Sequence, residues 1–340
     1  MPAETSDPRI LGTGHAVPPS VRLNADPYFD PYREKNLGKS DSDLFQGYEK
    51  RHFLADGEKV VDLMVTAAQM AMQDAGVTPA QIDMLIGDAS ISDYLVPNGI
   101  SEVHKKLGLS AAAWPLAVTS AFSQFNAAVM MADALIRAGR AKYVLIALGD
   151  NWTGYVHPDT QQALSAADGA AACVVGPGRD TSGWALVDTR TEVANDYFGG
   201  MFMASDLVPG PEGNLTKPYF QIMPKGVEGF LKFAAVRPQA LALQQLNATA
   251  DLKQVDGKWQ DLSFVCHQAS SVLINVWVKA INPENTIITL TDYANMVHCS
   301  SLFNLSWGMK NRPDFTQNWL QTLCIGPDMH VNVSLFRRNF

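Results

Sequence analysis

The 340-residue chain has little cysteine: Cys173, Cys266, Cys299 and Cys324 stand far apart, each in an apolar neighbourhood. Without a CxxC pair there is no zinc-type spacing, no metal is expected, and the four read as core thiols. Positive charge is short as well. Twenty-six Lys and Arg against 34 Asp and Glu leave a formal charge of -8, so no basic surplus exists to displace counterions and a nucleic-acid partner is excluded. The negative excess serves solubility. Long apolar runs are missing too: no segment approaches the ~20 residues that span a bilayer, and the opening MPAETSDPRI offers no signal-like run. A cytoplasmic protein without a membrane partner is expected. Because no GxGxxG opens a helix after the first strand, dinucleotide binding is disfavoured, and no cofactor is expected.

What is present is ordinary globular material, 47% hydrophobic, enough for a large core or two fused smaller ones. Short β-branched runs recur: RILGTG, MLIGDAS, YVLIALGD and ACVVGP, then WALVDTRTEV, FVCHQAS, TIITLTDY and HVNVSLF. Helical patterns lie between them. KVVDLMVTAAQMAMQDAG and FNAAVMMADALIRAG repeat apolar residues at three- and four-residue steps and stop at Gly76 and Gly139. GVEGFLKFAAVRPQALALQQL and SSVLINVWVKAIN supply helices in the second half. The alternation predicts a layered α/β architecture of two similar halves, 1–178 and 179–340, joined where GPGRDTSG clusters turn formers. Residues 195–220, NDYFGGMFMASDLVPGPEGNLTKPYF, fit no regular element and read as a lid or dimer contact.

The chemistry-bearing residues lie at the ends of β-like runs. His267 in CHQAS and Asn295 in DYANMVH would converge on one crevice in a layered α/β fold. An imidazole and a carboxamide there can both donate to the oxygen of a thioester carbonyl; the imidazole can instead serve as a base. The bland alternative is a His and an Asn that satisfy buried loop backbone. VTSAFSQFNAAVMMADALIRAG, residues 118–139, reads as a strand end turning sharply into a long helix, a turn that usually presents a nucleophile. Its tip carries Phe122.

Six ordered segments resemble the type III ketoacyl synthases of the thiolase superfamily: ILGTGHAVPPSVRLNAD at 10–26, RHF at 51–53, AADGAAACVV at 166–175, MPKGVEGFLKFA at 223–234, HQA at 267–269 and AN at 294–295. The resemblance implies a thiolase-like five-layered α-β-α-β-α fold, His267 and Asn295 as the catalytic pair, and acyl thioesters, carried on CoA or an acyl-carrier protein, as substrates. It also implies a homodimer formed through an edge strand, for which the uniformly apolar YVLIALGD is the expected candidate.

Several positions depart from that pattern. Where the family carries the Cys that becomes acylated, this chain has Phe122, which cannot be acylated. The nearest hydroxyls, Ser120 and Ser123, should not point where a Cys would, because a helix turns about 100° per residue; a serine also needs a base within hydrogen-bond reach. The rival reading makes Phe122 plain apolar core. Phe45 and Asp41 stand at the places of the residues that hold the CoA adenine, Val272 at the place of a carrier-docking base, and CIGPDMH retains Gly326 as the remnant of a Gly-rich oxyanion loop.

Three functions follow: an acyltransferase or condensing enzyme of specialised polyketide or fatty-acid metabolism that uses His267 and Asn295 without an acyl-Cys, a degenerate subunit that forms a hetero-oligomer with an active synthase, or a binding module. The third gives no reason to keep His267 and Asn295. For the enzyme, no covalent adduct on the chain is expected.

Overall fold

The computed structural model describes residues 7–38, 44–94, 96–178, 183–203, 208–209 and 215–338. Ten strands build the large sheet: β1 (Pro8–Ala16), β2 (Met84–Asp88), β3 (Trp114–Ala117), β4 (Val144–Asn151), β5 (Asp168–Pro177), β6 (Trp184–Val193), β7 (Lys258–Cys266), β8 (Pro283–Ile287), β9 (Trp319–Ile325) and β10 (His330–Arg337). A two-residue strand, Gln254–Val255, adds an eleventh beside β7. The helices that frame it are α1 (Val60–Ala75), α2 (Ile100–Leu107), α3 (Gln124–Arg137), α4 (Arg237–Asn247), α5 (Ser271–Ile281) and α6 (Ser300–Asn311).

Strand order repeats. The first half runs β1-β5-β4-β2-β3, the first two pairings antiparallel and the last two parallel. The second half runs β6-β10-β9-β7 with β8 beyond β7, in the same sequence of senses. Two residue pairs, Arg9↔Ala185 and Ile10↔Trp184, join β1 to β6.

Packing sets five layers. On the outer face of the first half, α1 covers β1, β4 and β5, with α2 beside it. The middle layer holds α3 and α6: α3 touches β2, β4 and β5 but also β6 and β10, while α6 touches β1 and β5 but also β7, β8 and β9. On the far face α4 covers β6, β9 and β10, with α5 against it. Small residues let α1 press on the sheet, since a Cβ at Gly14 would stand 2.1 Å from the Ala67 carbonyl oxygen and one at Gly12 2.3 Å from the Ala75 nitrogen. Ala67, Ala68 and Ala71 are fully buried there. Gly76 ends α1 in the left-handed conformation, φ 62°, as the Gly stop signal predicts.

Four expectations change. YVLIALGD is β4, which pairs with β2 on one side and β5 on the other, so it is an interior strand and not the edge available to a second copy. The edge of the first half is β3, where Trp114 is exposed. TIITLTDY is a strand only as far as Ile287; Leu290–Tyr293 form a helical turn, so Asn295 follows a helix and not a strand. The long helix expected from residue 226 to 246 is three pieces, Pro224–Gly229, a π-turn at Phe230–Ala234, and α4. Within the segment read as irregular, Met201–Met203 pair antiparallel with Phe220–Ile222; residues 204–207 and 210–214 of it lie outside the described residues, as do Asp41 and residues 179–182 of the expected junction. All four cysteines are free and buried, and burial pushes their thiols up, that of Cys324 to about 12.

Candidate functional site

The site grows from the turn between β3 and α3. Val118 N–H donates to the Gly87 carbonyl at 2.9 Å, extending the β2 register, and Ser123 N–H donates to the Ser120 carbonyl at 2.7 Å, closing the turn. Between them Phe122 has φ 72°, a conformation bulky L-residues rarely hold and one that concentrates at functional sites. The Phe122 side chain lines a cleft.

The cleft brings Phe122, His267 and Asn295 together, walled by Trp152, Phe220 and Phe45 among others. His267 is placed by β7, whose register with β9 continues one step further: His267 N–H donates to the Leu323 carbonyl at 2.8 Å. Its imidazole lies parallel to the Phe122 ring, 4° between planes and 5.6 Å between centroids. Burial, helped by the charge of nearby His298 and opposed by a backbone hydrogen bond at Val297, holds its pKa down at about 3. The ring is thus neutral at any physiological pH, with a buried Nδ1 that has no partner among the described residues. Asn295 is held by its backbone: its N–H donates to the Ser165 carbonyl at 2.9 Å, and its carbonyl accepts from Ala167 N–H at 3.1 Å. Ser300 Oγ donates to Asn295 Oδ1 at 3.3 Å, which leaves the amide nitrogen as the end of that side chain available to a ligand.

Sequence reasoning missed a second imidazole. His298 meets the Phe122 ring edge-on, 5.3 Å between centroids and 90° between planes. Asp150, at the end of β4, accepts from the His298 backbone N–H at 2.8 Å, and its Oδ2 lies 3.0 Å from His298 Nδ1. Burial raises the Asp150 carboxyl and the His298 contacts pull it back, with a net upward shift. Trp152 packs edge-on against Phe122 as well, at 5.4 Å. The Phe122 ring therefore packs against two imidazoles. The signals for this pair were in the sequence: Asp150 closes an apolar strand, and His298 lies three residues after Asn295.

Ser120, Ser123, Val272 and Gly326 do not line the cleft. Ser123 is 2% exposed, and its Oγ lies 2.7 Å from His330 Nε2. His330 Nδ1 lies 2.6 Å from Asp328 Oδ1. Gly326 is not a free oxyanion donor, because its N–H donates to the His330 carbonyl at 2.9 Å. Its lack of a side chain serves another purpose: a Cβ there would stand 2.1 Å from His330 Cε1 and 2.7 Å from the Ala121 carbonyl oxygen. Ser120 is half-buried, its carbonyl closing the turn. Phe45 lines the cleft, and Val272 is partly exposed at the start of α5. Arg51 of RHF is fully buried, its guanidinium donating to Asn24 Oδ1 and to the carbonyls of Arg22 and Leu164, which ties the first loop to the cleft wall. Among the described residues there is no group of three or more His, Cys, Asp or Glu that could hold a metal ion, and no helix long and apolar enough to cross a membrane.

The family described as 3-oxoacyl-[acyl-carrier-protein (ACP)] synthase III matches residues 117–194, which contain the turn and Asp150. A beta-ketoacyl-[acyl-carrier-protein] synthase III of Vibrio cholerae is 30% identical over 293 residues, 84% of this chain and 85% of that protein. One from Ruegeria pomeroyi is 28% identical over 327 residues, 93% of this chain and 94% of that protein. Among solved structures, the cerulenin-bound OleA of Xanthomonas campestris superimposes with a TM-score of 0.81 at 19% identity, covering 98% of this chain and 97% of that one. The priming β-ketosynthase of a polyketide biosynthetic pathway gives the same TM-score, 0.81, at 20% identity, covering 99% of this chain and 98% of that one. The fold is thus the thiolase-like one, in agreement with the five layers.

Proposed function

Because the chain belongs to the beta-ketoacyl-[acyl-carrier-protein] synthase III family of acyl-transferring condensing enzymes, we propose that it transfers an acyl group from a thioester, on CoA or an acyl-carrier protein, within the cleft of Phe122, His267 and Asn295. The observation that carries this reading is the Phe122–His267 stack: the turn that would present an acylated cysteine presents a ring to an imidazole held neutral. Residue 122 thus takes no acyl group.

A neutral imidazole N–H and the Asn295 amide are the donors that can hold charge developing on a thioester oxygen. Both are held by strand or loop backbone and need little reorganisation. The aromatic lining around Phe122 favours an apolar or aromatic acyl chain or acceptor. The two halves, 1–178 and 179–340, each contribute to the cleft: Phe122 and Trp152 come from the first, His267, Asn295 and Phe220 from the second. A homodimer is part of this reading, with the exposed β3 edge in place of β4 as the pairing strand.

A second reading, an auxiliary subunit of an active synthase, is favoured by one observation, that the Phe122 ring packs against both His267 and His298. Native mass and turnover with acetyl-CoA, octanoyl-CoA and malonyl-acyl-carrier protein separate the two. Turnover by the homodimer supports the enzyme; activity only after an active synthase is added supports the subunit.

A further inference from the structure

The serine beside Phe122 meets an imidazole that a carboxylate holds in turn. Asp328 Oδ1 lies 2.6 Å from His330 Nδ1. A carboxylate there accepts the Nδ1 proton and leaves Nε2 as an acceptor, and Ser123 Oγ lies 2.7 Å from that nitrogen. The order is the one in which a base, oriented by a carboxylate, withdraws a hydroxyl proton. We propose that Ser123, with His330 as its base and Asp328 orienting the imidazole, is the group that carries the acyl chain in this protein, in place of residue 122. The substrate class rests on the thioester reading above; the nucleophile does not.

Three further features point the same way. Ser123 is the N-cap of α3, where a serine hydroxyl ordinarily accepts a backbone N–H of the first turn, yet it makes no capping bond and faces His330 instead. The first-turn N–H groups of a helix have no intrahelical acceptor, and a fourteen-residue helix such as α3 stabilises negative charge at that end. Gly326 permits the arrangement, since any side chain there would strike the His330 ring. The hydroxyl is buried and its chain neighbour Phe122 lines the cleft, so in this proposal movement of the Phe122 ring sets its access.

In the first step a bond forms between Ser123 Oγ and the thioester carbonyl carbon as the hydroxyl proton passes to His330 Nε2. The C–S bond then breaks, and His330 returns the proton to the departing thiolate, giving an acyl-serine and a free thiol. In the second step an acceptor alcohol, amine or water gives its proton to His330 as it attacks the ester, and Ser123 recovers the proton when it leaves.

A fluorophosphonate probe tests the nucleophile without any assumption about the thioester. Intact mass should rise by one phosphonyl group, mapped by digestion to Ser123 and absent from Ser123→Ala. His330→Ala should slow labelling by about 10²-fold or more, the range expected for removing a general base, Asp328→Asn should slow it as well, and Phe122→Gly should speed it by opening access. A folded wild-type protein that stays unlabelled, or labelling at the wild-type rate in both His330→Ala and Asp328→Asn, overturns the proposal and leaves the trio as a clamp on loop 326–330. Acyl-CoA turnover retained in Ser123→Ala also overturns it while sparing the thioester reading. Labelling at Ser123 with no turnover of acetyl-CoA or octanoyl-CoA keeps the nucleophile and removes the thioester reading.

Discussion

Phe122 and His267 stack face to face, 5.6 Å between ring centroids, and this contact decides what residue 122 can do. An imidazole so placed would activate a thiol at the same position. Phe122→Cys should therefore become acylated on incubation with acetyl-CoA, with the adduct mapped by digestion to residue 122, whereas the wild-type protein shows none there. Failure of a folded Phe122→Cys variant to self-acylate favours the auxiliary-subunit reading.

His267→Ala should lower turnover by on the order of 10²-fold, the usual loss when one oxyanion donor is removed. The measurement is kcat with a saturating acyl-CoA, together with a circular dichroism spectrum to show that the fold persists. Unfolding of this variant would instead assign His267 a purely structural role, because the imidazole is 3% exposed and packs across a ring.

How much of this was legible in sequence differs by element. The strands and α1 were readable because each buries one face and shows its period: α1 has apolar residues at three- and four-residue steps and a Gly stop. The helix α6 was not readable. Eight of its twelve residues are buried, because it lies between two sheets and has no polar face to mark a period. Motif position marks His267 and Phe122, and the fold brings the two rings together. Ser123 is visible in the sequence without its His330 contact, since His330 is some two hundred residues away and its ring meets the turn only in the fold, at the close approach of Gly326. The β-branched TIITLTDY predicts a strand that runs up to Asn295, but the strand ends at Ile287 and a helical turn, Leu290–Tyr293, follows it.

Acid stability should report the burial of His267. Its folded pKa is about 3, against an ordinary value of 6.5, with burial as the main cause. Between those values the unfolded chain binds the proton and the folded one does not, so stability is full above pH 6.5 and falls as pH drops toward 3. From pH 7 to 4.5 this one group costs about 3 kcal/mol. Urea unfolding at both pH values should show a smaller acid loss for His267→Phe than for wild type, by roughly that amount. Equal losses would mean that the imidazole titrates in the fold as it does in water.

Gly326→Ala should damage the Ser123 site through contact and not through backbone conformation, because Gly326 is not among the positive-φ residues. The added Cβ would stand 2.1 Å from His330 Cε1, 2.4 Å from Nδ1 and 2.7 Å from the Ala121 carbonyl oxygen. The ring or the turn must then move, and either motion pulls His330 Nε2 off Ser123 Oγ. The expected cost is about 1–3 kcal/mol, as for overpacking a well-filled core, together with loss of fluorophosphonate labelling. Gly76→Ala is the matched control: it places a side chain at φ 62° with nothing within 4 Å, so it should lower Tm by a comparable amount, for a cost of about 1–2 kcal/mol, and leave labelling intact. If Gly326→Ala keeps the wild-type Tm and labels normally, the loop does not press His330 against the turn, and the Ser123–His330 contact fails with it.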